Sequence, residues 1–175
     1  RYGINLLLKF CNDYSIPYDM CGKVIVATCK NELNTLDSLH KRGQENGIMG
    51  IKKLSPNELH EYEPKASGLA ALYCPETGII DYKQVCLQLS ENIQQFGEIA
   101  KDAAVLSIDD SYDGLIVATD TTEYKTRFLI NCAGLFSDEV AELAGVNRQL
   151  RIIPFRGEYY MLREHARYLV KNLIY

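Results

Sequence analysis

The sequence predicts an α+β (mixed α/β) fold, and three observations carry that expectation. Helical and strand periodicities follow one another in irregular order, without the strict β-α alternation of a doubly wound sheet. Three strand-like segments between residues 103 and 132 are separated by short turns, the pattern of an antiparallel meander. Finally, the apolar run Phe128-Leu-Ile-Asn-Cys132 ends in Ala133-Gly134 and opens directly into a helical pattern. A glycine at such a strand-to-helix turn permits unusual dihedrals and lets a bulky group lie against the main chain.

Taken in order, Ile4, Leu7, Leu8 and Cys11 stand at helical spacing and predict an amphipathic helix over residues 2–14, stopped by Pro17 and Gly22. Residues 23–30 are β-branched and apolar, a strand buried on both faces. Asn31 is the expected cap of a helix carrying Leu33, Leu36 and Leu39 as far as Asn46-Gly47. Residues 48–54 form a short strand candidate. Ser55 and Pro56 then open a brief helix that ends before Pro64. Residues 68–74 read as another strand, residues 75–78 as a turn, and Asp81 as the cap of a helix over 82–96 with the stripe Val85, Leu89, Ile93 and Phe96. The meander strands are expected at 103–108, 114–119 and 124–132. A helix over 137–144, a long strand over 151–162 and the start of another over 169–175 complete the chain.

Its 175 residues suffice for one ordinary domain or parts of two. Apolar residues make up 47% and charged residues 24%, a globular balance, and the net charge of -4 provides no basic footprint, which excludes nucleic acid as the expected partner. No apolar stretch approaches the roughly 20 residues that span a bilayer. The six cysteines contain no C-x-x-C pair and sit in apolar segments, so buried thiols are expected and no metal site.

Several stretches resemble the L-2-hydroxyglutarate oxidases and dehydrogenases, within the flavoenzyme superfamily of D-amino-acid oxidase and glycerol-3-phosphate dehydrogenase. They are Gly22-Lys-Val-Ile-Val-Ala-Thr28, Arg42-Gly43 with Asn46-Gly47, Glu63-Pro64, Asn131-Cys-Ala-Gly-Leu-Phe-Ser-Asp138, Pro154-Phe-Arg-Gly-Glu-Tyr-Tyr160 and Leu173-Ile-Tyr175. The resemblance implies an FAD enzyme that oxidises the 2-hydroxyl of a small dicarboxylate to a ketone. It also implies an internal fragment, because no G-x-G occurs to supply the family's pyrophosphate turn, and the C-terminal glycine-rich stretch does not follow. The implied organisation is a linking helix (1–19), a first part of the substrate lobe (20–79), a partial FAD domain (80–149) and a return strand of the substrate lobe (150–175). The fragment alone is expected to be inactive and to hold FAD weakly or not at all. An uncovered sheet edge is expected to favour self-association. The expected location is cytoplasmic, or peripheral to a membrane in the parent protein.

By the same resemblance, Val105 meets the adenine through its main chain, and Ala133, Gly134 and Leu135 line the flavin side. On a strand, Pro154, Arg156, Glu158 and Tyr160 share one face. From that face Arg156 is a candidate to hold a substrate carboxylate through paired N–H groups, set against an Arg156–Glu158 pair in solvent. Tyr159 and Tyr160 are candidates to cover the ring or donate to the ketone oxygen, set against one core and one surface tyrosine. His40, His60 and His165 read as solvated, and Glu61, Glu63, Asp109 and Asp110 as helix and loop charges. No residue of the chain is assigned as the catalytic base. The alternatives are an amino-acid or glycine oxidase of the same superfamily, and an isolated module without cofactor.

Overall fold

A computed structural model describes residues 2–147 and 150–175. Arg1, Arg148 and Gln149, which the expected parts 1–19 and 80–149 include, lie outside the described residues. The chain forms two compact units, Arg1–Gln95 with Met161–Tyr175, and Phe96–Tyr160. The helix expected at the head of the FAD part therefore clusters with the first unit as far as Gln95, and the expected return segment 150–175 is divided, 150–160 in the second unit and 161–175 in the first.

The first unit runs α1 (Tyr2–Asp13), β1 (Tyr18–Asp19), β2 (Lys23–Ala27), α2 (Lys30–Glu45), β3 (Lys52–Leu54), α3 (Pro56–Tyr62), β4 (Ala70–Cys74), β5 (Ile79–Ile80) and α4 (Tyr82–Gln94). Successive strand residues point to opposite faces, and the central strands use both. Val24 and Ala71 join Leu54 and Leu59 in one cluster, while Ala27 and Leu72 join Leu36 in another. Thus α3 closes one face of the sheet and the Leu33, Leu36 and Leu39 stripe of α2 closes the other, as the buried-strand reading requires. A third cluster, Cys11, Ile16 and Val85, packs α1 against the first turn of α4. Beyond that turn the α4 stripe is uncovered: Leu89, Ile93 and Phe96 are exposed.

Local chemistry sets the helix starts. Ser55 caps α3 as expected, with Glu58 accepting from the Ser55 N–H at 2.8 Å and from its hydroxyl at 2.7 Å. Asp81 accepts from the Gln84 N–H at 3.1 Å. In α2 the cap falls at Cys29 and not at Asn31, because Glu32 reaches back to the N–H groups of Thr28 and Cys29 and starts the helix earlier.

The second unit contains β6 (Val105–Ser111), β7 (Gly114–Thr119) and β8 (Glu123–Thr126) as an antiparallel meander, then α5 (Ser137–Leu143). Ile108 and Val117 are its buried residues among those described. The first unit is completed by β9 (Leu173–Ile174), so its main sheet has the order β3-β4-β2-β9, with β9 parallel to β2.

Two strand expectations fail in part. The third meander strand stops at Thr126, and residues 151–162 contain no strand. Alternating apolar residues signal side chains able to pack on a pleated surface, but a strand also needs a neighbouring backbone to bond with. Neither segment has one among the described residues. The cysteine expectation also changes: only Cys11 is buried, and Cys29, Cys86 and Cys132 are exposed thiols.

Candidate functional site

All the sequence-proposed site residues lie in the second unit. Val105 opens β6 opposite Thr119, with a bulge between Val105 and Ser107, and it is half-buried. That fits a residue whose side chain packs while part of its main chain leaves the regular ladder.

The turn after residue 127 is built by side chains from both of its sides. Thr126 ends β8 by donating its hydroxyl to the Phe128 carbonyl at 2.9 Å and accepting from the Phe128 N–H at 3.3 Å. The chain is thereby led out of the sheet, and Phe128 and Ile130 remain exposed. Asn131 then spans the bend: its Oδ1 accepts from the Ala133 N–H at 3.2 Å, and its Nδ2 donates to the Ser137 carbonyl at 2.8 Å. Ser137 returns a hydroxyl bond to the Gly134 carbonyl at 2.8 Å. Gly134 itself has φ +58, and a Cβ there would meet nothing within 4 Å. The space over the turn is open, which suits a flat group laid against the main chain. Leu135 is exposed beside it, in a 3-10 turn over Gly134–Phe136.

Asn131 and Ser137 belong to the motif that pointed to this turn, yet the sequence assigned them no role. An Asn two residues before Ala-Gly and a Ser three after the Gly are turn-forming types, and that was the available signal.

Asp138, at the start of α5, accepts the Ile152 N–H at 3.1 Å. It ties the first stretch to the beginning of the second. Beyond Ile152 the second stretch is irregular and fully exposed. Arg156 Nε stands 3.6 Å from Glu158 Oε1, both in solvent, so the structure contains the ion-pair alternative for this arginine. Such a pair holds the side chain weakly. Tyr159 folds back on Gly157, whose added Cβ would lie 3.1 Å from the tyrosine ring, and Tyr160 is wholly exposed. Neither tyrosine is a core residue. Among the described residues, no hydrogen bond, ion pair or ring contact joins Arg156, Tyr159 or Tyr160 to Ala133, Gly134 or Leu135. A groove of about 520 Å³ in this unit is lined by Tyr112, Lys125 and Arg127 among others, and by none of the proposed site residues.

His60 and His165 are exposed, the former with Nδ1 3.3 Å from the Pro64 carbonyl oxygen. His40 is half-buried. Glu63 departs most from its sequence reading: it is a fully buried carboxylate in the first unit. No group of three or more metal-ligating side chains occurs among the described residues, and no described helix is long and apolar enough to cross a membrane.

The family described as FAD dependent oxidoreductase matches residues 1–174. L-2-hydroxyglutarate dehydrogenase from Indibacter alkaliphilus is 41% identical over 175 residues, covering 99% of this chain and 44% of that protein. The chain thus spans less than half the length of this relative. Among solved structures, L-proline dehydrogenase from P. horikoshii superposes with a TM-score of 0.80 at 15% identity, covering 98% of this chain and 47% of that one. Dithionite-reduced L-alpha-glycerophosphate oxidase from Mycoplasma pneumoniae, with FAD bound, superposes with a TM-score of 0.69 at 27% identity, covering 81% and 40%.

Proposed function

Because the chain belongs to the FAD dependent oxidoreductase family, we propose that it forms part of a longer flavoenzyme that oxidises the 2-hydroxyl of L-2-hydroxyglutarate to the ketone of 2-oxoglutarate. The observation that carries this reading is the 41% identity to a relative named for that substrate, maintained across 99% of the chain. FAD, when bound, supplies the hydride acceptor.

The chain's own residues supply position. The open left-handed turn at Ala133-Gly134, with Leu135 beside it, fits the edge of a flat ring system held against backbone. The bulged start of β6 at Val105 offers main-chain groups to the adenine end. Arg156 binds one substrate carboxylate, for which its planar fork matches two oxygens. It exchanges the weak Glu158 contact for that bond. Tyr159 and Tyr160 close over the bound acid. Holding the carboxylate turns the single C2 hydrogen towards the acceptor, and orientation of this kind is a large part of the rate gain available to a positioning protein. Oxidation of the 2-hydroxyl removes one hydride equivalent, which FAD would accept, and one proton, which would leave to solvent.

The test is turnover by the full-length flavoprotein that contains this sequence, assayed in parallel with L-2-hydroxyglutarate, glycine and other amino acids. Formation of 2-oxoglutarate from the hydroxy acid supports the proposal. Oxidation of amino acids alone overturns it in favour of the oxidase alternative.

A further inference from the structure

Glu63 follows α3 and has no solvent exposure, although nothing in its sequence context marks it as a core residue. Its Oε1 accepts the Lys171 N–H at 2.9 Å, the Asn172 N–H, and the Asn172 side-chain amide at 2.8 Å. Its Oε2 is buried without a hydrogen-bond partner among the described residues. A carboxylate taken out of water without a cation is costly, and converging N–H groups are what offset that cost. The same amide of Asn172 also reaches the Tyr62 carbonyl at 3.3 Å. Room for this junction comes from Gly22, at φ +77: a Cβ there would meet the Tyr73 ring at 2.9 Å and Asn172 Oδ1 at 3.2 Å.

What Glu63 grips is otherwise thinly held. No described side chain of Met161–Tyr175 is buried, and its strand pairing is the short parallel β9. Three backbone bonds run along this pairing: Leu173 N–H to Gly22 at 3.0 Å, Val26 N–H to Tyr175 at 2.7 Å, and Tyr175 N–H to Val24 at 3.0 Å. A segment with few buried contacts opens separately from the core it leans on.

We infer that Glu63 is the anchor of a local unfolding unit: its buried carboxylate fastens the segment 161–175 to the edge of β2, and that segment detaches without it while the β3-β4-β2 core stays folded. The second unit leaves the first at Gln95 and returns at Met161. The inference stands independently of the proposed reaction.

Hydrogen exchange of the full-length flavoprotein that contains this sequence, read by mass spectrometry, tests it. In Glu63→Ala, amides 171–175 exchange faster by about tenfold or more, while those of β4 and α2 keep their protection. Glu63→Gln retains an oxygen acceptor and keeps 171–175 protected. Exchange at 171–175 as slow in Glu63→Ala as in the parent overturns the anchor. If Glu63→Ala unfolds throughout, Asn172→Ala decides, since it removes one donor and leaves Glu63 in place. Selective loosening of 171–175 supports the inference, and parent-like or global exchange overturns it.

Discussion

Gly68 and the carbonyl of Ala27 approach so closely that a Cβ on Gly68 would sit 2.8 Å from that oxygen, and 2.3 Å from Val26 Cγ1. The next residue uses the same approach, since Leu69 donates its N–H to Ala27 at 2.8 Å. Because a central-strand carbonyl cannot swing aside, Gly68→Ala is predicted to destabilise the first unit by about 1–3 kcal/mol. Gly43→Ala is the contrasting case. Its added Cβ would meet Ile51 Cδ1 at 2.3 Å, the far end of a flexible side chain, and α2 gains helix propensity. Urea midpoints at unchanged slope are predicted to fall more for Gly68→Ala than for Gly43→Ala.

Acid sensitivity follows from two helix starts. The Glu32 carboxyl is held below its ordinary value of 4.5 chiefly by the Thr28 N–H, and the Glu58 carboxyl likewise by the Ser55 N–H. With folded values depressed, each contribution is fully present above 4.5 and is lost as pH falls through the folded value. Lys52 has the opposite sign. It is raised from 10.5 chiefly by the Tyr62 side chain it lies against, so its contribution is present below 10.5 and lost as pH rises through the folded value. Glu32→Gln and Glu58→Gln are predicted to lower the urea midpoint at neutral pH and to flatten its decline towards acid. A parent-like acid profile in both variants would contradict this assignment.

Much of the fold was legible because its signals are local. The α1 and α2 stripes, the Ser55 and Asp81 caps and the turns of the meander each depend on residues within a few positions of one another. The unpaired stretches after Thr126 and Arg151 were misread for a different reason: alternation reports the side chains, whereas a strand is made by its neighbour's backbone. Glu63 was illegible in sequence because its partners, Lys171 and Asn172, lie more than a hundred residues away. The Ala133-Gly134 turn was legible as a shape. Its scaffolding by Asn131 and Ser137 became visible only in the hydrogen bonds.

If Arg156 holds a substrate carboxylate in the full-length flavoenzyme, Arg156→Lys keeps the charge but loses the paired geometry. KM for L-2-hydroxyglutarate is predicted to rise by about tenfold or more, and further in Arg156→Ala. Glu158→Ala, which removes only a weak surface partner, is predicted to leave KM near the parent value. Steady-state kinetics of the three variants separate carboxylate binding from a surface ion pair. Parent-like KM in Arg156→Ala would assign this arginine to the surface.

The most direct measurement is anaerobic mixing of the full-length flavoprotein with L-2-hydroxyglutarate while the visible flavin band is followed. The account predicts that the band bleaches and that 2-oxoglutarate forms in equal amount to the flavin reduced. A band that persists with L-2-hydroxyglutarate and bleaches with glycine or another amino acid would contradict it.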